Sequence, residues 1–238
     1  MSFLYDLADN NAWYSGMVED FITSFIEKGR YELIFEGIGN TIRISLFAVL
    51  IGIIIGLISA LLKLSKSKVL RAISSVYTDV IRGTPAVTQL LIIYFVVFGT
   101  VYWEKWIIAS IAFGINSGAY VSEIIRAGIQ SIDHGQTEAG RSLGMSSYQT
   151  LRYIVIPQAV KNIFPALCNE FIVLIKETAI VGYIGMRDIA KAGEQIRSAT
   201  YLAFMPLIGT AIIYFVMIKI LTLLFAQLEK NLRKGDIR

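Results

Sequence analysis

Long apolar runs alternate with short polar ones along most of this chain, at a spacing set by the thickness of a membrane. A bilayer core takes roughly 20 apolar residues as a helix, and residues 38 to 62 supply one such run. Lys63, Lys66, Lys68 and Arg71 follow at once. Basic residues collect on the cytoplasmic side of membrane spans, so the first span reads as running inward, with Arg43 near its start reaching for the headgroups. A second apolar run, 69 to 99, is too long for one straight crossing and is interrupted by Arg82, Gly83, Thr84 and Pro85. Proline removes one helical hydrogen bond and disfavours helix at the residue before it, which frees backbone groups near Gly83 and Thr84 at membrane depth. Such breaks are tolerated only where protein or a cavity meets those groups. An outer loop, 100 to 105, leads to a third span at 106 to 129, and a polar loop, 130 to 153, separates it from a fourth at 154 to 184. A polar outer segment, 185 to 203, precedes a fifth at 204 to 228. The pattern predicts an all-α membrane protein of about five transmembrane helices. Its N-terminus lies outside and its C-terminus, with Lys230, Arg233, Lys234 and Arg238, lies in the cytoplasm.

Residues 1 to 37 are mixed and acidic, and Phe21, Ile22, Phe25 and Ile26 recur at helical spacing, which predicts an amphipathic helix at the membrane surface. No signal peptide is expected there, because acids stand where such a segment needs bases. The chain reads as one transmembrane domain, 38 to 228, between this N-terminal segment and a basic tail, 229 to 238. The 238 residues are 55% hydrophobic, with a mean hydropathy of +0.61, above the apolar share of ordinary soluble domains. The formal charge of +4 sits in short loops beside apolar runs, which explains it by topology and excludes nucleic acid as a partner.

Chemistry is sparse. Cys168 and His134 are each the only residue of their type, which rules out an internal disulfide, a Cys/His metal site and a His-assisted nucleophile. The sequence has no G-x-x-x-x-G-K-[ST] phosphate loop. What needs explanation is the polar groups inside the spans, since a charge at the bilayer centre costs several kcal/mol unless paired or hydrated. Asp79 and Arg82 are three apart, as are Glu123 and Arg126, and each pair can neutralise itself on one helix face. Glu170 and Glu177 are seven apart, as are Asn169 and Lys176. Each couple therefore falls within about 20° on a helix, and the fourth span is expected to carry a polar stripe facing a partner or a pore.

The stretch from Thr137 to Ala159 is polar, charged and punctuated. Glu138, Ala139, Gly140, Arg141, Ser142 and Leu143 read as a short amphipathic helix stopped by Gly144, because glycine tolerates the left-handed conformation at a helix end. Ser146 or Ser147 caps a second short helix, and Pro157 suits the first turn of another.

Its spacing resembles the signature loop of bacterial ABC importer permeases: E-A-A, three residues, G, nine residues, I-x-L-P. This chain departs from it in Gly140 for the third alanine and Ile156 for the leucine. Arg82 to Pro85, Ser122 to Ile129 and Asn169 to Thr178 extend the likeness to the polar amino acid branch and carry it over most of the chain from Gly39 onward. The resemblance implies a type I importer permease in the bacterial inner membrane, with no enzyme activity of its own. ATP and magnesium would sit on a separate ATPase, into whose cleft loop 130 to 157 docks through Glu138, Ala139, Gly140, Arg141, Leu143, Gly144 and Pro157. It further implies an extracytoplasmic solute-binding protein and a second permease chain, identical or similar. Arg82, Gly83, Thr84, Asn169 and Glu170 are the expected cavity residues, with Glu123, Arg126, Lys176, Glu177 and Thr178 as gate or structural groups. Another small polar cargo, or an ion-coupled carrier, are the alternatives. The latter often shows paired repeats, which this chain lacks.

Overall fold

The computed structural model describes residues 15 to 233, all of whose regular elements are helical. The first 14 residues of the acidic segment, and residues 234 to 238 of the tail, lie outside the described residues. Helix α1 (Ser15–Phe21) passes through a π turn and a 3-10 turn into the 34-residue α2 (Tyr31–Leu64). Helix α2 thus starts seven residues before the expected boundary. Glu32 and Glu36 do not stop it because both sit on its exposed side, where Glu36 pairs with Arg187. The expected surface helix is short and partly buried instead: Ile22 and Phe25 pack inward, Phe25 with Ile34, Ala192 and Ile196.

Next come α3 (Lys68–Arg82), α4 (Ala86–Leu91, extended by a π stretch to Val97), α5 (Lys105–Gln130), α6 (His134–Ser142) and α7 (Ser147–Thr150). A π turn, Leu151–Val155, joins α7 to α8 (Ile156–Glu177), and 3-10 turns, α9 (Ile189–Thr200) and α10 (Phe204–Arg233) complete the chain. Pro157 lies in the first turn of α8. The path through it stays helical, however, since the π turn shifts the hydrogen-bond pattern just where proline brings no donor.

Among the described residues three helices are long and apolar enough to cross a membrane: α2, α5 and α10. A fourth is added if α3 and the helix after it count as one span bent by 105°. Helix α8, the remaining expected crossing, carries Lys161, Glu170, Lys176 and Glu177 and packs against α2, α5 and α10.

The centre of the fold is the pairing of α2 with α5. Apolar side chains gain little by meeting each other in lipid, so close approach of backbones through small residues drives such pairs. Gly52 and Gly56 face Ser117, Gly118 and Val121, while Gly114 and Gly118 face Ile51 and Ile55. A methyl at Gly114 would lie 2.6 Å from Cβ of Ile51, and one at Gly56 2.6 Å from Cγ1 of Val121. Ile44, Ala48, Phe113, Leu90, Leu174 and Val181 close the core around this pair. Arg43 is exposed, and its guanidinium stacks 3.5 Å above the indole ring of Trp106.

The segment between α8 and α10 is pinned by Asp188, which is fully buried. Its carboxylate caps α9, accepting from the N–H groups of Ala190 at 3.0 Å and Lys191 at 2.9 Å, and also accepts from the Tyr214 hydroxyl at 2.8 Å. Asp188→Ala is expected to destabilise the protein by about 2–4 kcal/mol, roughly 1 from the cap and about 1–3 from the stranded hydroxyl. A thermal melt of the purified protein that does not move would remove this role. On the exposed face of α9, Lys191 donates to Glu194 at 2.7 Å and holds that carboxyl below its ordinary range.

Candidate functional site

Polar function is concentrated in two places, an exposed helical corner between α5 and α8 and a cluster along α5, where Asn116 meets the α3–α4 break and Ser117 meets α8; Gln89 and Glu170 are buried there, while Arg82, Gly83 and Thr84 are exposed. At the corner, Asp133 accepts from the N–H of Gly135 at 2.6 Å and starts α6. That helix begins at His134, four residues before Glu138, so it is longer than the sequence suggests. Gly144 has φ of +86° and ends it. Ser146 and Gln149 form a capping box, the serine hydroxyl accepting from the Gln149 N–H at 3.2 Å and the glutamine side chain from the Ser146 N–H at 2.8 Å. Both orphan donors at the start of α7 are thereby satisfied. Glu138, Ala139, Arg141 and Leu143 all face outward, Leu143 with 83% of its surface exposed. Gly140 is the buried one, and a methyl there would approach Cδ1 of Ile154 to 2.8 Å. In place of alanine, the glycine draws α6 down onto the chain that re-enters α8.

The helix break is satisfied from within. Gln89 donates to the carbonyl oxygens of Ile81 at 2.7 Å and Thr84 at 3.1 Å and to the Thr84 hydroxyl at 2.8 Å. Its own side-chain oxygen accepts from Asn116 of α5 at 2.9 Å. One residue further along α5, the Ser117 hydroxyl donates to Glu170 Oε1 of α8 at 2.8 Å. Glu170 is buried, with 8% of its surface exposed. Arg82 turns from Asp79 and lies over the Tyr120 ring at 5.4 Å from its centroid, one turn beyond Ser117. Four helices therefore contribute to one polar patch: α3 and α4 at the break with Arg82, Thr84 and Gln89, the α5 face with Asn116, Ser117 and Tyr120, and α8 with Glu170.

Of the expected cavity residues, Asn169 is not in this patch. Neighbouring residues on a helix point about 100° apart, and Asn169 lies exposed in a groove with Thr222 and Phe225 of α10 while Glu170 points inward. The stripe on α8 divides in the same way, Lys176 being exposed and Glu177 half-buried. Thr178 is buried and bonds back to the carbonyl of Ile175 at 2.8 Å. Glu123 and Arg126 do pair, at 2.7 Å, and Lys63 joins them. Sequence reasoning does not mark Gln89, Asn116, Ser117 or Lys63 as site residues. Asn116 and Ser117 carry a usable signal, being adjacent polar residues inside an apolar run, where polar side chains mark helix contacts or sites.

The family described as the binding-protein-dependent transport system inner membrane component matches residues 52–234. The chain belongs to this family. The permease is 41% identical over 202 residues to the putative glutamine transport system permease protein GlnP of Rickettsia bellii, a match that covers 84% of this chain and 92% of that protein. It is 42% identical over 206 residues to the arginine transport system permease protein ArtQ of Bacillus subtilis, covering 85% and 94%. Its fold superposes on the crystal structure of an amino acid ABC transporter with histidines with a TM-score of 0.79 and 43% identity, over 93% of this chain and 99% of that one. The inward-facing MetNI methionine ABC transporter, at 18% identity and a TM-score of 0.75 over 87% and 99%, shares the fold. The permease therefore has the all-α architecture of type I ABC importer subunits, and the family span contains both the exposed corner and the polar patch.

Proposed function

We propose that this permease carries an amino acid inward across the bacterial inner membrane, N-terminus outside and C-terminus in the cytoplasm, driven by ATP hydrolysed on a separate subunit. An extracytoplasmic solute-binding protein delivers the cargo, and a second permease chain, identical or similar, completes the pathway. ATP and magnesium are assigned to the ATPase. The names of the relatives, glutamine and arginine permeases, support an amino acid over another small polar solute, and the family's dependence on a binding protein weighs against an ion-coupled carrier.

The observation that carries the cargo assignment is Glu170, a buried carboxylate held by Ser117, the neighbour of the Asn116 that meets Gln89 at the helix break. A carboxylate offers about four acceptor sites, and Ser117 uses one. An ammonium group suits the remainder, while the cargo's carboxylate suits the Arg82 guanidinium beside Gly83 and Thr84 at the break. Asn169 belongs to this cavity only if α8 rotates. Lys176, Glu177 and Thr178 lie beyond Glu170 toward the outer end and are assigned to gating or support.

The exposed corner, residues 130 to 157, is assigned to ATPase docking. Leu143 at its tip is a large apolar side chain with nothing over it, and Glu138 and Arg141 flank it. In proteoliposomes with ATPase and binding protein, ATP-dependent uptake of radiolabelled L-arginine or L-glutamine is the expected activity. Glu138→Lys is expected to abolish uptake and cargo-stimulated ATP hydrolysis with the permease still inserted. Full uptake by that variant would remove the corner from coupling, and a wild type that takes up no amino acid would overturn the cargo.

A further inference from the structure

Lys63 sits at the end of α2 in a row of basic residues, where a positive charge needs no further explanation. It nevertheless turns inward, with 15% of its side chain exposed. Its ammonium donates to Glu123 of α5 and to the Thr78 hydroxyl of α3, the latter at 2.7 Å. Glu123, 19% exposed, also accepts from Arg126 Nε at 3.0 Å and Nη2 at 2.7 Å. Arg126 in turn donates to Gln130 at 2.5 Å. One cluster thus joins α2, α3 and α5.

The two sides of this cluster differ in kind. Helices α2 and α5 are locked by backbone contact through glycines. Helix α3 is held to them by polar contacts: Thr78 to Lys63, the Ser74 hydroxyl to Ser59 at 2.7 Å, and the Tyr77 hydroxyl to the carbonyl of Ile115 at 2.6 Å. Its apolar side chains Val69, Ile73, Val76 and Val80 point away, each more than half exposed. Sliding α3 therefore exchanges hydrogen bonds without opening an apolar core. Helix α3 begins four residues after Leu64, which with Gln130 lines a cavity of about 640 Å³ behind α6 and α7, and its 15 residues span about 22 Å to the break at Arg82.

We propose that Lys63, Glu123, Arg126 and Thr78 form a latch that fixes α3 to the α2–α5 pair, so that movement of the docking corner reaches the helix break through α3. The inference rests on the transport reading above. Lys63 is a positioning residue here, acting on the break through Thr78 and α3. Thr78→Val keeps the shape of the side chain and the Lys63–Glu123 ion pair while cutting the α3 leg, and Lys63→Met removes the hub.

The test uses the complete transporter, with ATPase and binding protein, in proteoliposomes. It compares radiolabelled L-arginine and L-glutamine delivered per ATP hydrolysed, a ratio that a loss of folded protein alone does not change. In Thr78→Val the ratio is expected to fall between about twofold and about thirtyfold, the range of residues that tune coupling without touching ligand, with ATP hydrolysis continuing. Lys63→Met is expected to fall at least as far. If Lys63→Met does not insert, Thr78→Val decides alone. Wild-type uptake with an unchanged ratio in Thr78→Val overturns the latch, whereas a wild type that delivers no amino acid overturns the transport reading itself.

Discussion

Glu170→Gln should leave the permease folded and inserted while raising the KM for amino acid uptake by roughly 10- to 100-fold, since a hydrogen bond to a charged group is worth about 1.5–3 kcal/mol and about 1.4 kcal/mol is tenfold. Glutamine keeps the shape of the side chain and can still accept from Ser117, so the packing around α8 is preserved. What it loses is the charge that meets the cargo's ammonium. An N-acetylated amino acid, which lacks that ammonium, should compete poorly for uptake by the wild type and nearly as well as the free amino acid for the variant. Ser117→Ala is expected to act in the same direction, because it removes the donor that holds the carboxylate in place. Unchanged uptake and unchanged cargo-stimulated ATP hydrolysis in Glu170→Gln would make Glu170 a structural group and leave the cavity to Arg82 and the break.

The parts of this fold that are legible in the sequence are those governed by neighbours along the chain. A run of about twenty apolar residues makes a membrane-length helix wherever it stands, and α2, α5 and α10 follow from that alone. Gly144 and a serine cap at Ser146 or Ser147 are local in the same sense, since a left-handed turn and a helix cap leave their marks within a few positions, and in the structure the cap is Ser146 with Gln149 as its partner. Long-range pairing leaves no such mark. Ser117 meets Glu170 from 53 positions away and Lys63 meets Glu123 from 60. A helical period says which side chains share a face without saying which face turns inward. Asn169 and Glu170 therefore group together in the sequence although they point apart. Lys63 reads as a flank for the same reason, because topology alone accounts for a basic residue at the end of a span. The acidic residues Glu32 and Glu36 mislead in the opposite direction, toward a late start for α2, since exposed acids cost a helix little when a partner such as Arg187 lies within reach.

A single methyl group at the α2–α5 contact should also lower stability. Gly114→Ala is expected to destabilise the permease by about 1–2 kcal/mol, although alanine is the better helix former by roughly 0.5–1 kcal/mol, because overpacking a closed contact costs about 1–3 kcal/mol. The added carbon would sit 2.6 Å from Cβ of Ile51. That atom is bonded to the α2 backbone, so no rotamer change can move it away and the helices themselves must part. Gly39→Ala provides the opposite sign on α2, since a methyl there meets nothing within 4 Å and should be neutral or stabilising by up to about 1 kcal/mol. The cause can be isolated by making room: in an Ile51→Gly background, which removes that Cβ, Gly114→Ala should cost little or nothing, a departure from additivity of the kind expected for residues in contact. Thermal melts of the four α2–α5 combinations in detergent measure this directly, and equal losses with and without Ile51 would show that the close approach does not hold the pair together. The same contact bears on transport. A methyl at Gly52 would lie 2.9 Å from Oγ of Ser117, the atom that donates to Glu170, so Gly52→Ala should both loosen the helix pair and disturb the carboxylate, whereas Gly114→Ala should lower stability with the cargo KM of the folded fraction unchanged.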